Sequence, residues 1–377
     1  MRLADLPTPS LILDRGVLTR NCQAMAARMS NHGVRLRPHL KTSKSIDVAR
    51  LATSGQFGGI TVSTLAEARY FAEKGVTDIT YGVGLVPGKL DQVAALVAQG
   101  VRMTLLTDCP EMIVPLSDGA QARGLTLPLL IEIDSGEGRG GVQPGGETLL
   151  EIGRLIDQAP GLSLEGVLTH AGHSYKCRSI QAIELVAEQE RVAVTSAAAL
   201  LRDAGLPCPV VSAGSTPTAI CADSLEGVTE MRPGVYVFFD LMMMGLGVCR
   251  LDEIALSVLA TVIGHQPSSG RVLIDAGALA LSKDIGANHF LDKVGYGLVC
   301  APDSTHLMGG LYVATAYQEH GMVAAPDGPP PYENLPVGSR VRVLPNHACM
   351  TAAAHGAYQV VDGSDEVIDT WGRVNGW

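Results

Sequence analysis

From about residue 34 to about 240, apolar residues recur in short runs. Each run is followed by a stretch in which they return every three or four positions. The runs at 33–40, 59–63, 78–83, 102–107, 127–134, 164–169, 209–213 and 228–238 predict eight strands. Helices are predicted at 64–74, 90–99, 147–158 and 180–204; in the first, Leu65, Ala68, Phe71 and Ala72 fall on one face. The strands read as continuous apolar runs, such as Leu129-Leu130-Ile131, as expected when both faces are buried. Eight strand-then-helix units predict an α/β fold, a (β/α)8 barrel of TIM type. The alternative is an open doubly wound sheet, which a count of eight disfavours.

After about residue 245 the pattern changes. Strand-like runs at 254–264, 271–276, 297–300, 310–316, 339–344, 356–361 and 366–371 are separated by Gly, Pro and Asp turns, with no comparable helix between them. The expected division is a barrel over 1–245 and a β-rich domain over 246–377. Residues 325–331 read as a surface loop.

Composition narrows the function. Of 377 residues, 46% are apolar and 18% charged, enough for a sizeable core. A net charge of -10 without a basic run argues against nucleic acid and anionic membrane surfaces. No run is long enough to span a bilayer, and the N-terminus lacks the apolar core of a signal peptide, so the expectation is a soluble cytoplasmic protein. The eight cysteines are scattered, with no C-x-x-C, and read as reduced thiols. Cys349 stands apart because His347 lies two residues before it.

Chemistry-bearing residues gather at the ends of the predicted strands, where barrels of this kind build active sites. Arg37-Pro38-His39-Leu40-Lys41-Thr42 closes the first with a lysine able to hold an aldehyde covalently; Lys44 reads as a surface residue. The fifth ends in Asp134-Ser135-Gly136-Glu137-Gly138-Arg139, whose glycines admit close backbone approach and whose arginine suits an anionic oxygen. The sixth ends in His170-Ala171-Gly172-His173-Ser174-Tyr175. The seventh ends in Ser212-Ala213-Gly214-Ser215-Thr216-Pro217-Thr218, either a phosphate cradle or an ordinary helix cap. The eighth carries Arg232-Pro233-Gly234-Val235-Tyr236. Far downstream, Leu344-Pro345-Asn346-His347-Ala348-Cys349 sets an imidazole and a thiol two residues apart. In a strand that spacing points both to one face. The donors favour zinc, with manganese, cobalt and magnesium open.

A lysine after the first strand and a phosphate cradle after the seventh and eighth suit pyridoxal 5'-phosphate. The set resembles the alanine-racemase-like (fold type III) pyridoxal-phosphate enzymes. With the His-x-Cys pair, it resembles the D-serine dehydratase-like branch, which includes D-threo-3-hydroxyaspartate dehydratases and D-threonine aldolases. The resemblance spans nearly the whole chain. It implies Lys41 as the cofactor-bearing lysine, Arg139 near the phenolic oxygen and His170 against the ring. It places Gly214, Ser215, Thr216 and Gly234 around the phosphate, with Tyr175 and Tyr236 beside the cofactor. It also implies a divalent metal on His347 and Cys349, and a homodimer.

The expected reaction is loss of water from a D-3-hydroxy amino acid, giving a 2-oxo acid and ammonia. Catalysis would rest on Lys41, His347 and Cys349. The second reading is Cα–Cβ cleavage to glycine and an aldehyde. Glu132 stands where several racemases of this fold carry lysine, and no C-terminal tyrosine is assignable as a second acid/base, Tyr296 and Tyr317 being the candidates. Both points argue against racemisation. The β-rich domain argues against a barrel-only cofactor-homeostasis protein.

Overall fold

In the computed structural model, which describes residues 1–377, the chain divides into two compact units. One comprises 24–234 with 374–377, the other 1–23 with 235–373. Strand β1 (Ser10–Asp14) belongs to the second unit, and α1 (Arg15–Asn31) carries the chain from one to the other.

The first unit is the barrel. Its strands are β2 (Arg35–Leu36), β3 (Ile60–Val62), β4 (Asp78–Gly84), β5 (Arg102–Thr107), β6 (Leu127–Ile133), β7 (Leu162–Thr169), β8 (Val210–Ala213) and β9 (Glu230–Met231). All pair in parallel, in the order β2-β9-β8-β7-β6-β5-β4-β3. The ring closes where His39 bridges Thr61. There Leu40 N donates to Thr61 O, and Thr61 N to Pro38 O, each at 2.9 Å. The interspersed helices are α2 (Ile46–Ala52), α3 (Leu65–Glu73), α4 (Leu90–Ala98), α5 (Ile113–Gln121), α6 (Glu147–Gln158), α7 (Ile180–Asp203) and α8 (Thr216–Cys221). Apolar spacing explains their seating: in α6, Leu149, Ile152 and Ile156 are buried at helical intervals.

The eight-strand barrel stands, but two strands are shorter than predicted. Within 33–40 only Arg35 and Leu36 pair as a strand before the isolated bridge at His39, because Pro38 has no N–H to offer. Within 228–238 the ladder stops at Met231; Pro233 and Gly234 interrupt it, and Val235–Val237 forms a 3-10 turn. Helix α1 precedes the predicted units, while α2 and α5 fill two of the expected strand-then-helix units that had no helix range of their own. In α5, Pro115 and Gly119 disguise the pattern, yet Pro115 falls in the first turn, where a missing N–H costs nothing.

Inside the barrel wall runs a buried charged network. Arg37 pairs with Asp78 at 2.6 Å and Glu230 at 2.8 Å. Glu230 accepts from Ser212 Oγ at 2.7 Å, and Arg232 donates to Ser212 Oγ at 2.5 Å and Thr169 O at 2.6 Å. These bonds tie β2, β4, β7, β8 and β9 and satisfy charges that burial would otherwise penalise.

The second unit is a nine-stranded sheet. It uses β1 with β10 (Leu256–Gln266), β11 (Arg271–Ile274), β12 (Leu298–Cys300), β13 (Leu307–Ala316), β14 (Gly321–Ala324), β15 (Arg340–Leu344), β16 (Ala357–Val361) and β17 (Asp369–Gly372). The order is β11-β14-β13-β12-β15-β10-β1-β16-β17, and a further β10–β11 pairing curls six strands into a ring. β1 lies antiparallel to β10 and parallel to β16, which is why residues 1–23 belong here. Leu3, Leu6, Ile12, Leu259 and Val361 form one core cluster. The helices of this unit are short: α9 (Leu241–Gly245), α10 (Ala278–Leu281) and α11 (Ala348–Ala353). No helix of the chain is long and apolar enough to cross a membrane.

Candidate active site

A cavity of about 280 Å³ lies in the barrel unit, lined by residues at or just beyond the C-terminal ends of the strands. Lys41, Arg139, His170 and Gly214 all reach its wall, although the sequence spreads them over more than 170 positions. His39, Thr61, Ser63, Gly82, Glu132 and Arg232 share the lining.

Lys41 is exposed in the turn after His39. Burial, and the positive charge of Lys41 near them, push both His39 and His170 down, His170 to about 3, so both imidazoles are neutral near pH 7. The hydrogen bond between His170 Nδ1 and Gly214 O (3.1 Å) makes Nδ1 the proton carrier, leaving the Nε2 lone pair free of it. The Tyr175 ring lies 6.4 Å from that of His170, tilted by 40°.

Arg139 is held by the glycine-rich turn after β6. Asp134 Oδ1 accepts the N–H groups of Gly136 (2.9 Å) and Gly138 (3.1 Å), which folds the turn back. The guanidinium is exposed, with Glu137 3.6 Å away. Glu132, on β6, is pushed up by burial and by the nearby Asp108 carboxylate.

The turn after β8 is built from close approaches. Gly214 has φ +116°, and a Cβ there would sit 3.0 Å from Arg232 N. A Cβ on Gly234 would lie 2.7 Å from His39 O, so only glycine lets this segment pack against the Lys41 turn. Ser215 and Thr218 cap α8 reciprocally, Thr218 N donating to Ser215 Oγ (3.2 Å) and Ser215 N to Thr218 Oγ1 (3.0 Å). Ser215 and Thr216 are buried immediately behind Gly214. Tyr236 is fully buried in the 235–237 turn of the other unit and is not on the cavity lining; burial pushes its phenol well up.

His347 and Cys349 are brought together, but not as neighbours on one strand. β15 ends at Leu344; His347 is the N-cap of α11, and Cys349 lies in its first turn. His347 Nδ1 bonds Asp284 Oδ2 at 2.7 Å, and the ring also bonds the Cys349 side chain. Burial opposes charge on His347, but those two bonds overcome it and push the imidazole up to about 11. Asp240 Oδ2 accepts Ala348 N at 2.9 Å and fixes the start of the helix. Asn346 Nδ2 donates to Asp284 O (3.1 Å) and Gly295 O (2.7 Å). No three His, Cys, Asp or Glu side chains form a group that could hold a metal by themselves, so this pair would leave most of a cation's coordination to other ligands.

Sequence reasoning missed His39, Thr61, Asp240 and Asp284. Their partners lie far off in the chain, and only the Pro-His-Leu-Lys motif marked any of them.

Comparison with known proteins gives the chain's family. Residues 13–241 fit the model of the alanine racemase N-terminal domain, and 255–361 that of a putative serine dehydratase domain. A D-threo-3-hydroxyaspartate dehydratase of Delftia sp. is 45% identical, over 100% of this chain and 99% of that one. Its solved structure has a TM-score of 0.96, with both chains fully covered. A cysteine-to-alanine mutant of a D-threo-3-hydroxyaspartate dehydratase, in the metal-free form, is 44% identical, with both chains fully covered and a TM-score of 0.97. A D-serine dehydratase of Dictyostelium discoideum is 30% identical, over 99% and 98% of the two chains. A D-threonine aldolase of Arthrobacter sp. is 31% identical, over 98% and 92%.

Proposed function

Because the chain belongs to the alanine-racemase-like family of pyridoxal-phosphate enzymes, in the branch carrying a serine dehydratase domain, we propose that it removes water from a D-3-hydroxy amino acid. The product would be a 2-oxo acid with ammonia. D-threo-3-hydroxyaspartate and D-serine are the first substrates to try.

The observation that carries this reading is one cavity with a lysine, two neutral histidines and a glycine-built turn, in a chain that also pairs His347 with Cys349. The cavity residues fit a phosphorylated pyridoxal ring. Thr61 Oγ1, fully buried on the wall, has no hydrogen-bond partner within the protein. The Gly214 and Gly234 positions leave room that a Cβ would fill.

Lys41 would hold the cofactor. Arg139 would face its phenolic oxygen, His170 its ring face, and Gly214, Ser215, Thr216 and Gly234 its phosphate, with Tyr175 alongside; Tyr236, off the cavity lining, has no part in this arrangement. When bound, pyridoxal phosphate supplies an electron sink for charge developing at Cα. His347 and Cys349 would hold a divalent cation, zinc or manganese before cobalt or magnesium, which supplies Lewis acidity toward a departing hydroxide.

The chain's own task is then proton handling. Lys41 Nζ, a free amine once the substrate's amino group has displaced it from the cofactor, would take the Cα proton, and His170, kept neutral, adds no competing charge. Loss of that proton and of the β-hydroxide leaves an enamine, which hydrolyses to the 2-oxo acid and ammonia. The second reading, aldol cleavage, uses the same residues and is favoured only by the aldolases among the relatives.

Product analysis on D-serine, D-threo-3-hydroxyaspartate and D-threonine, with pyridoxal phosphate and a divalent metal, tests the reading. A 2-oxo acid with ammonia supports it; glycine with an aldehyde or glyoxylate contradicts it. We further infer a cytoplasmic homodimer, checked by fractionation and light scattering.

The bond from His347 Nδ1 to Asp284 orients the ring, so that Nε2, once its proton is displaced, would face the metal. Asp284→Asn is expected to weaken zinc binding about tenfold to a hundredfold, read by competition with a chromophoric chelator. Unchanged affinity would contradict the role.

A further inference from the structure

Glu190 occupies the buried stripe of α7, between Ala187 and Val194 and in line with Ile183, Ala197 and Leu201. It is 2% exposed. A carboxyl at such a position is costly unless it is hydrogen-bonded. Its partners all belong to the segments that frame the cavity. Oε1 accepts Ala171 N at 2.7 Å and Gly214 N at 3.1 Å, and the side chain also bonds that of Thr218. Ala171 follows His170; Gly214 and Thr218 bracket the turn after β8. One carboxyl oxygen thus joins the ends of β7 and β8, and the bond between His170 Nδ1 and Gly214 O closes the same loop from the cavity side.

The surroundings act on its charge state from both sides. Burial pushes the Glu190 carboxyl up, opposed by its bonds to Thr218, Ala171 and Gly214 and by Arg232. A phosphate held at Gly214–Thr216 would carry up to two negative charges. An ionised carboxylate directly behind it would repel it strongly in a medium of low dielectric. A protonated acid keeps the acceptor oxygen without that repulsion.

We propose that Glu190 is a positioning residue, a neutral carboxylic acid that grips the Ala171 and Gly214 amides and so holds His170 and the Gly214–Thr216 turn in place for the cofactor's phosphate. The role rests on reading the cavity as a pyridoxal-phosphate site. It acts through backbone, so nothing in the reaction itself requires it.

The test compares the full-length parent chain with Glu190→Gln and Glu190→Ala. Pyridoxal phosphate binding is titrated by visible absorbance, and the bound phosphate is observed by phosphorus NMR. Glutamine keeps Oε1 as acceptor and mimics the neutral acid, so this variant is expected to bind like the parent with the same phosphorus shift. Alanine strands two amides and is expected to bind about tenfold to a hundredfold more weakly, with a displaced phosphorus signal. An alanine variant that binds like the parent with an unmoved signal overturns the role. So does a glutamine variant as impaired as alanine, which would show that the ionised form is needed.

Should the alanine chain not fold, the parent-minus-glutamine infrared difference decides. A lost protonated-carboxyl band agrees; a lost carboxylate band overturns. A parent chain that takes up no pyridoxal phosphate would overturn the cofactor reading itself. A parent that binds it beside an equally competent alanine variant would overturn the Glu190 role alone.

Discussion

Lys41→Ala is expected to lower kcat by about a thousandfold or more, with the chain still folded and the cavity still able to take up pyridoxal phosphate non-covalently. Two losses combine. The covalent hold on the cofactor disappears, and so does the amine positioned to accept the Cα proton. General acid–base groups contribute about 10² to 10⁴ in rate. The other bases on the cavity lining are His39, His170 and Glu132; burial keeps both imidazoles poor proton acceptors, His170 at about 3, and Glu132 stands on β6 rather than on the Lys41 turn. Arg139 and Arg232 are cations. Borohydride should fix cofactor to the parent chain and not to the variant. A variant retaining more than about a tenth of the parent kcat would remove Lys41 from proton transfer.

Cys349→Ala is expected to abolish stoichiometric metal binding and to lower turnover about a thousandfold, since Lewis-acid assistance is worth several kcal/mol at the transition state. Covalent cofactor attachment should survive, because Lys41 and its cavity lie in the other unit. The effect should exceed that of Asp284→Asn, which disturbs only the orientation of His347. Metal content by mass spectrometry, with kcat before and after chelation, checks it. A Cys349→Ala chain fully active in chelator would show that the pair has no part in turnover.

Much of this was legible in the chain itself. Local patterns revealed what local physics controls: the apolar runs of β5 and β6, the amphipathic α6 and the turn chemistry at Asp134–Gly141 and Gly214–Thr218. The residues now lining one cavity were legible because a barrel collects strand ends at one mouth, so position along each unit predicts convergence. What stayed hidden depends on distant partners. β1 reads as an orphan until β10 and β16 pair with it. The His347–Cys349 spacing suggested a strand, yet Asp240, more than a hundred residues earlier, accepts Ala348 N and starts a helix there. The pair still meets, because an N-cap and the first turn behind it are also close neighbours. Asp284 carries no local mark at all. Glu190 did carry one, as the single acid in an otherwise apolar stripe, but the amides it serves are 19 and 24 positions away.

Which bond at Cα breaks separates dehydration from aldol cleavage, and a substrate deuterated at Cα reports it. With D-threo-3-hydroxyaspartate so labelled, the expected result is a slowed turnover, deuterium lost to solvent, and oxaloacetate with ammonia as products. Glycine retaining the deuterium, released with glyoxylate and without an isotope effect on cleavage, would show that the Cα–Cβ bond breaks instead and would contradict the dehydratase reading.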